Sequence, residues 1–142
     1  MPDYRKALRD GLKSAEDLAR VKSEIAQIWK NFVKELSEET DGRININIKK
    51  EIEQETGLFA APLLGRQHRT YLAIVAENPK SKNKLEKELA RWEQERTGYP
   101  CRIIFGDVQL RCDDAGALES ALVQLLRDPI VGEKLHALMK QE

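Results

Sequence analysis

The chain is poor in the residues that staple or label a protein. It has two cysteines and two histidines among 142 residues, too few and too scattered for a disulfide framework or a structural zinc site. Cys101 and Cys112 form no C-x-x-C pair, and neither His68 nor His136 stands at ligand spacing from them. No apolar run approaches the ~20 residues a membrane helix needs. The opening MPDYRKALRDGLKSAEDLAR carries no apolar stretch of the kind a secretion signal requires. Neither sign of charge dominates: Lys plus Arg is 24 and Asp plus Glu is 24. That balance excludes a uniformly basic nucleic-acid coat and an acidic, disordered chain. With eight glycines and five prolines, collagen-like and low-complexity character are excluded too. The expectation is a cytoplasmic protein with core thiols, no cofactor, no metal and no membrane segment.

Catalytic signatures are equally scarce. The chain has no G-x-S-x-G, no phosphate-cradling G-x-x-x-x-G-K-[ST], no G-x-G-x-x-G and no H-E-x-x-H. Its carboxylates read more simply. Glu51, Glu53 and Glu55 space like a solvated strand or loop, and Asp113-Asp114 like a helix cap. Glu77 and Lys80 sit at a spacing seen in metal-dependent nucleases, without a partner Asp, and His68 in a turn reads as solvated. An enzyme with a dispersed site therefore ranks third among the functional readings.

What the chain does have is periodicity. Residues 3–39 read as helix: Leu18, Val21, Ile25, Ile28 and Phe32 recur at steps of three and four, with Trp29, Val33 and Leu36 widening the stripe. Gly11 is a weak point, and Ser14 with Asp17 three residues on could cap a fresh start. This is either one long helix or a short one followed by 15–38. Thr40-Asp41-Gly42 ends it. Then Ile44, Ile46 and Ile48 alternate with polar residues as a half-buried strand. Leu58 to Leu64 is a candidate second strand, demoted to a sheet edge by Pro62. Gly65 to His68 turns the chain into a strand at 69–76. Asn78-Pro79 reads as a helix start, with Leu85, Leu89 and Trp92 as its stripe and Thr97-Gly98 as its stop.

CRIIF-GD-VQLRC, residues 101–112, reads as a β-hairpin with Gly106-Asp107 as a two-residue turn. That register sets Phe105 opposite Val108, Ile103 opposite Leu110 and Cys101 opposite Cys112, all on one side. A one-residue slip would destroy the segregation. Two helices follow: one capped by Asp113 or Asp114, with Ala117, Leu118, Ala121, Leu122 and Leu125 inward, and one restarted by Asp128-Pro129.

The predicted fold is therefore α+β, one domain over 1–142. Residues 1–40 form an N-terminal helical segment, and 41–142 an antiparallel sheet of four or five strands with the C-terminal helices mainly on one face. The element order is α-β-(β)-β-α-β-β-α-α. In element order alone this resembles the small dimeric chaperones that serve type III secretion.

Two surfaces emerge as candidates for function. The sheet positions predicted to point away from the helices are Arg43, Asn45, Asn47, Lys49, Arg69, Tyr71, Arg102, Gln109 and Arg111, a set without a single acid. The second is the first helix, through Leu18, Val21, Ile25, Ile28, Trp29 and Phe32, which either covers the sheet or builds part of a homodimer. The leading expectation is a non-enzymatic interaction module, a regulator, inhibitor or chaperone-like adaptor, whose partner is another protein with an acidic surface. The alternative is a nucleic-acid-binding accessory protein using the same basic face. A single aromatic there is fewer than sheet-type nucleic-acid binders usually stack.

Overall fold

The computed structural model describes residues 1–53 and 69–140. The candidate strand at 58–64, the turn at 65–68 and His68 lie outside the described residues. The fold is α+β, in the order α1 (Tyr4–Glu39), β1 (Asn45–Ile52), β2 (Thr70–Glu77), β3 (Glu86–Glu95), β4 (Gly98–Phe105), β5 (Val108–Cys112), α2 (Ala115–Arg127) and α3 (Pro129–Met139). The strands form one antiparallel meander, β1-β2-β3-β4-β5.

Local chemistry explains the helix boundaries. Asp3 caps α1 by accepting from the Lys6 backbone N–H at 3.0 Å, and the helix runs unbroken through Gly11 and Ser14. One long helix is thus the outcome of the two that the sequence left open. It stops where Asp41 (φ 54°) and Gly42 (φ 79°) enter the left-handed region, while the Thr40 hydroxyl donates to the Leu36 carbonyl. Asp114 caps α2 through the Ala117 N–H at 2.8 Å. Asp128 caps α3 through the Ile130 and Val131 N–H groups, with Pro129 pre-set at the first position.

The hairpin has the register its alternation requires, with Cys101 opposite Cys112, Ile103 opposite Leu110 and Phe105 opposite Val108. Both thiols are free and buried. Withdrawal from water pushes the Cys101 thiol up to about 12 and raises Cys112 in the same direction.

The segment at 86–95 departs from the expected helix: it is β3. Its helix-like stripe has a specific origin. Ala90 pairs with Ile74 and Glu88 with Val75, so Leu89 is an extra residue bulged into the strand. The bulge buries Leu89 beside Ala90 and leaves Leu89 and Trp92 three apart, as a helix would space them, although Trp92 follows strand alternation from Ala90. Leu85, the supposed first member of the stripe, is exposed. Asn78 caps no long helix. It is buried in a turn, accepting from the Lys80 N–H at 3.0 Å and donating to the Leu138 carbonyl at 2.9 Å. The order is therefore α-β-β-β-β-β-α-α, and the element-order resemblance to secretion chaperones lapses with the missing central helix.

All three helices pack against the sheet, burying Ile46, Ile74, Ala90, Trp92, Ile103 and Cys112 against Ile25, Leu118, Leu122, Leu125 and Leu138. Trp92 meets Trp29 of α1 edge to face, centroids 5.1 Å apart. Gly98 (φ 95°) lets β4 pass directly under α1. A Cβ there would stand 2.5 Å from Val21 Cγ1.

Candidate functional site

The opposite face of the sheet carries the residues predicted to form a basic surface, and β3 changes its character. Asn45 and Asn47 both donate to the Glu77 carboxylate, at 3.3 and 3.4 Å. The Lys49 ammonium is paired with Glu86, which holds that lysine above the usual range. The Tyr71 hydroxyl donates to Glu88 at 2.7 Å, raising its pKa, while the Arg91 guanidinium lies 4.0 Å from the centre of the Tyr71 ring. Arg102 stands between Glu93 and Glu95 at 3.9 and 3.7 Å. Arg111 donates to Asp113 at 2.8 Å, which raises it further.

The basic face is therefore corrected to a charge-compensated one. The residues from the flanking strands point as expected, but Glu86, Glu88 and Glu93 arrive with β3. A helix reading had placed those acids elsewhere. Most of these pairs are solvent-accessible, so each contributes only ~0.2–1 kcal/mol. Arg43 and Arg69 precede β1 and β2 and are exposed, and Gln109 is exposed beside the hairpin turn. The structure brings Asn45, Asn47, Lys49 and Tyr71 into one network around Glu77, Glu86 and Glu88. It leaves Arg102, Gln109 and Arg111 at the far side of the sheet.

The first helix divides in two. Of its predicted interface, Ile25 is buried in the core, and Val21, Ile28, Trp29 and Phe32 pack against that core from the same chain. Leu18 is half-buried. Those residues cover the sheet. Beside them, Trp29 and Val33 of α1 with Ile46 and Ile48 of β1 line a groove of about 620 Å³. The buried indole N–H of Trp29 meets no hydrogen-bond partner among the described residues.

The N-terminal part of α1 behaves differently. Every residue from 4 to 16 is exposed, a projection of about 20 Å at 1.5 Å per residue. Tyr4 is 77%, Leu8 63% and Leu12 58% exposed, and their spacing of four puts them on one side of the helix. Sequence reasoning began its stripe at Leu18 and missed these three. The signal was available in their i, i+4, i+8 pattern.

Among the described residues no group of three His, Cys, Asp or Glu side chains is placed to hold a metal ion, and no helix is long and apolar enough to cross a membrane. No protein-family model, curated protein or solved structure matches the chain.

Proposed function

We propose that the protein is a non-enzymatic interaction module, a regulator, inhibitor or chaperone-like adaptor, and that it makes contact through the projecting first part of α1. One observation carries the reading: a helical segment exposed along its whole length presents Tyr4, Leu8 and Leu12 to water on one stripe. An isolated helix of this length is marginal in water, and its stripe gains its stabilisation from whatever covers it. Arg5 and Arg9 flank one edge of the stripe, which suits a protein partner that sets acids beside an apolar surface. Two buried free thiols suit a reducing, cytoplasmic setting. The nucleic-acid reading loses ground because the sheet face that was to carry it is paired with acids.

The test is site-specific photo-crosslinking of the full chain in cells. A benzophenone side chain replaces Leu12 and, as a control, exposed Asp107. Discrete protein adducts at position 12, identified by mass spectrometry and abolished by Leu8→Asp, are the expected result. Absence of any adduct at position 12, or equal labelling at 107, would overturn the proposal.

A further inference from the structure

Resting on that reading, we infer that the occupant of the α1 stripe is a second copy of this chain, its α1 lying antiparallel across the projecting segment. The argument comes from what the stripe presents. Continued along the helix, Leu8, Leu12, Ala15 and Ala19 follow at alternating steps of four and three, the spacing of a short two-helix seam. Large residues occupy one half of that seam and small ones the other. An antiparallel two-fold centred between Lys13 and Ser14 sets Leu8 of each copy against Ala19 of the other, and Leu12 against Ala15. Every layer joins a large residue to a small one.

Charge selects the same register. The positions flanking this seam include Arg9 and Glu16, seven residues apart on one edge. In the register described, Arg9 of each copy faces Glu16 of the other, twice by symmetry. Sliding one helix by a heptad in one direction brings Arg9 against its own copy, and in the other direction Glu16 against its own copy. A parallel in-register pairing stacks each seam residue on itself, Lys22 included, and sets Arg9 and Glu16 against Tyr4 and Gly11 of the other copy. Only the antiparallel register at this centre joins opposite charges.

Gly11 supplies an independent observation. It stands in mid-helix, where glycine is unfavourable by ~1 kcal/mol against alanine, yet a Cβ at this position would meet nothing within 4 Å among the described residues of its own chain. The intramolecular packing therefore does not call for it. Across the proposed seam it lies opposite the half-buried Leu18 of the second copy, where a small residue permits close approach. The seam ends naturally: its next layer would oppose Arg5 to Lys22. A contact running from Leu8 to Ala19 covers about 17 Å of helix and fits a dimer that forms in the micromolar range, at the small end of specific interfaces.

Sedimentation equilibrium of the full chain from about 1 to 300 µM tests this. The expected result is reversible dimerisation, lost in the Leu8→Asp/Leu12→Asp variant, whose substitutions lie at exposed positions outside the folded core. Arg9→Glu should weaken association about tenfold, since two contacts become repulsive. Arg9→Glu/Glu16→Arg should restore it. Residues seven apart do not touch within one helix, so that rescue comes only from across the seam. Arg9→Glu also gains a favourable spacing to Lys13 within its own helix, so weaker association cannot be assigned to a weaker helix. A chain that stays monomeric at 300 µM overturns the inference, as does a dimer that the double aspartate variant leaves intact or a charge swap that fails to rescue. If the chain is monomeric and Leu12 still crosslinks to a different protein, the second copy is excluded and the interaction module stands. Monomer with no adduct removes both.

Discussion

Ile46, Ile74, Trp92 and Ile103 on one side of the sheet, and Lys49, Tyr71, Arg91 and Arg102 on the other, are carried by the same strands. The first group is pressed under three helices and the second is matched, charge by charge, across neighbouring strands. Burying a large apolar side chain stabilises by ~1.5–3 kcal/mol, and an exposed ion pair by well under 1 kcal/mol. The helix side therefore holds the domain together, and the outward side sets which strands are compatible neighbours. Substitutions on the two faces should separate by several-fold in cost.

The largest effect is expected at Trp92. It sits at the centre of the packed face, edge to face with Trp29, which in turn meets Phe32 at 5.6 Å. Trp92→Ala should destabilise by ~3–5 kcal/mol, measured by urea denaturation. A cost below ~1 kcal/mol would show that the α1–sheet contact is not the centre of the core. Next comes Gly98→Ala. The new Cβ would clash with Val21 and force alanine to φ 95°, together ~1–3 kcal/mol. Adding Val21→Ala should recover only the part due to the clash, leaving the backbone strain.

An intermediate effect follows from the buried thiols. The folded state holds the Cys101 proton up to about 12, whereas an unfolded thiol loses it near ~8.5. The folded pKa is the raised one, so the stability linked to this proton is intact below pH ~8.5 and declines as pH rises toward 12, by up to ~1.4 kcal/mol per pH unit. Tyr99, raised by burial and its 2.7 Å hydrogen bond to Glu24, adds a decline of the same sign at still higher pH. Denaturation midpoints between pH 8 and 11 should fall steadily, and Cys101→Ala should flatten the slope even though it lowers the absolute stability. An unchanged slope would show that this thiol ionises in the folded protein as it does in the unfolded one. A thiol reagent at pH 8 should label neither cysteine until the chain unfolds.

How much of this was legible in the sequence depends on where the information resided. The β4–β5 hairpin could be read to the residue, because its turn fixes the register and a slip would exchange its faces. The caps are local hydrogen bonds: Asp128 was equally legible, and the cap of α2 was narrowed to Asp113 or Asp114, of which the structure selects Asp114. β3 was not. Glu86 to Arg96 is rich in helix formers, and the bulge at Leu89 breaks the alternation that marks a strand. Its identity is set by burial of Ala90 and Trp92 between β2 and β4, contacts distant in sequence. That single misreading propagated to the site. Without β3 the outward face lacked Glu86, Glu88 and Glu93, and with Glu77 left just past the end of its strand at 69–76 it looked basic. The projecting stripe was missed for a different reason: Tyr4, Leu8 and Leu12 lie on the same long helix as the packed stripe, and the structure leaves them exposed.

The smallest effect sharpens the contrast between the faces. Arg102 is the most enclosed cation of the outward network, its side chain about a quarter exposed between Glu93 and Glu95. Arg102→Ala should cost ~0.5–1 kcal/mol, and a double-mutant cycle with Glu93→Ala should give a coupling of only a few tenths, shrinking as salt rises from 0.05 to 0.5 M. A coupling above ~2 kcal/mol would mean that the network is a structural element in its own right. In the same samples, anisotropy of labelled DNA or RNA should be as flat for the wild type as for Arg102→Glu, because a compensated face releases few counterions. Steep, salt-sensitive binding that depends on Arg102 would instead show that the carboxylates yield to phosphate, and would return the outward face to the centre of the protein's function.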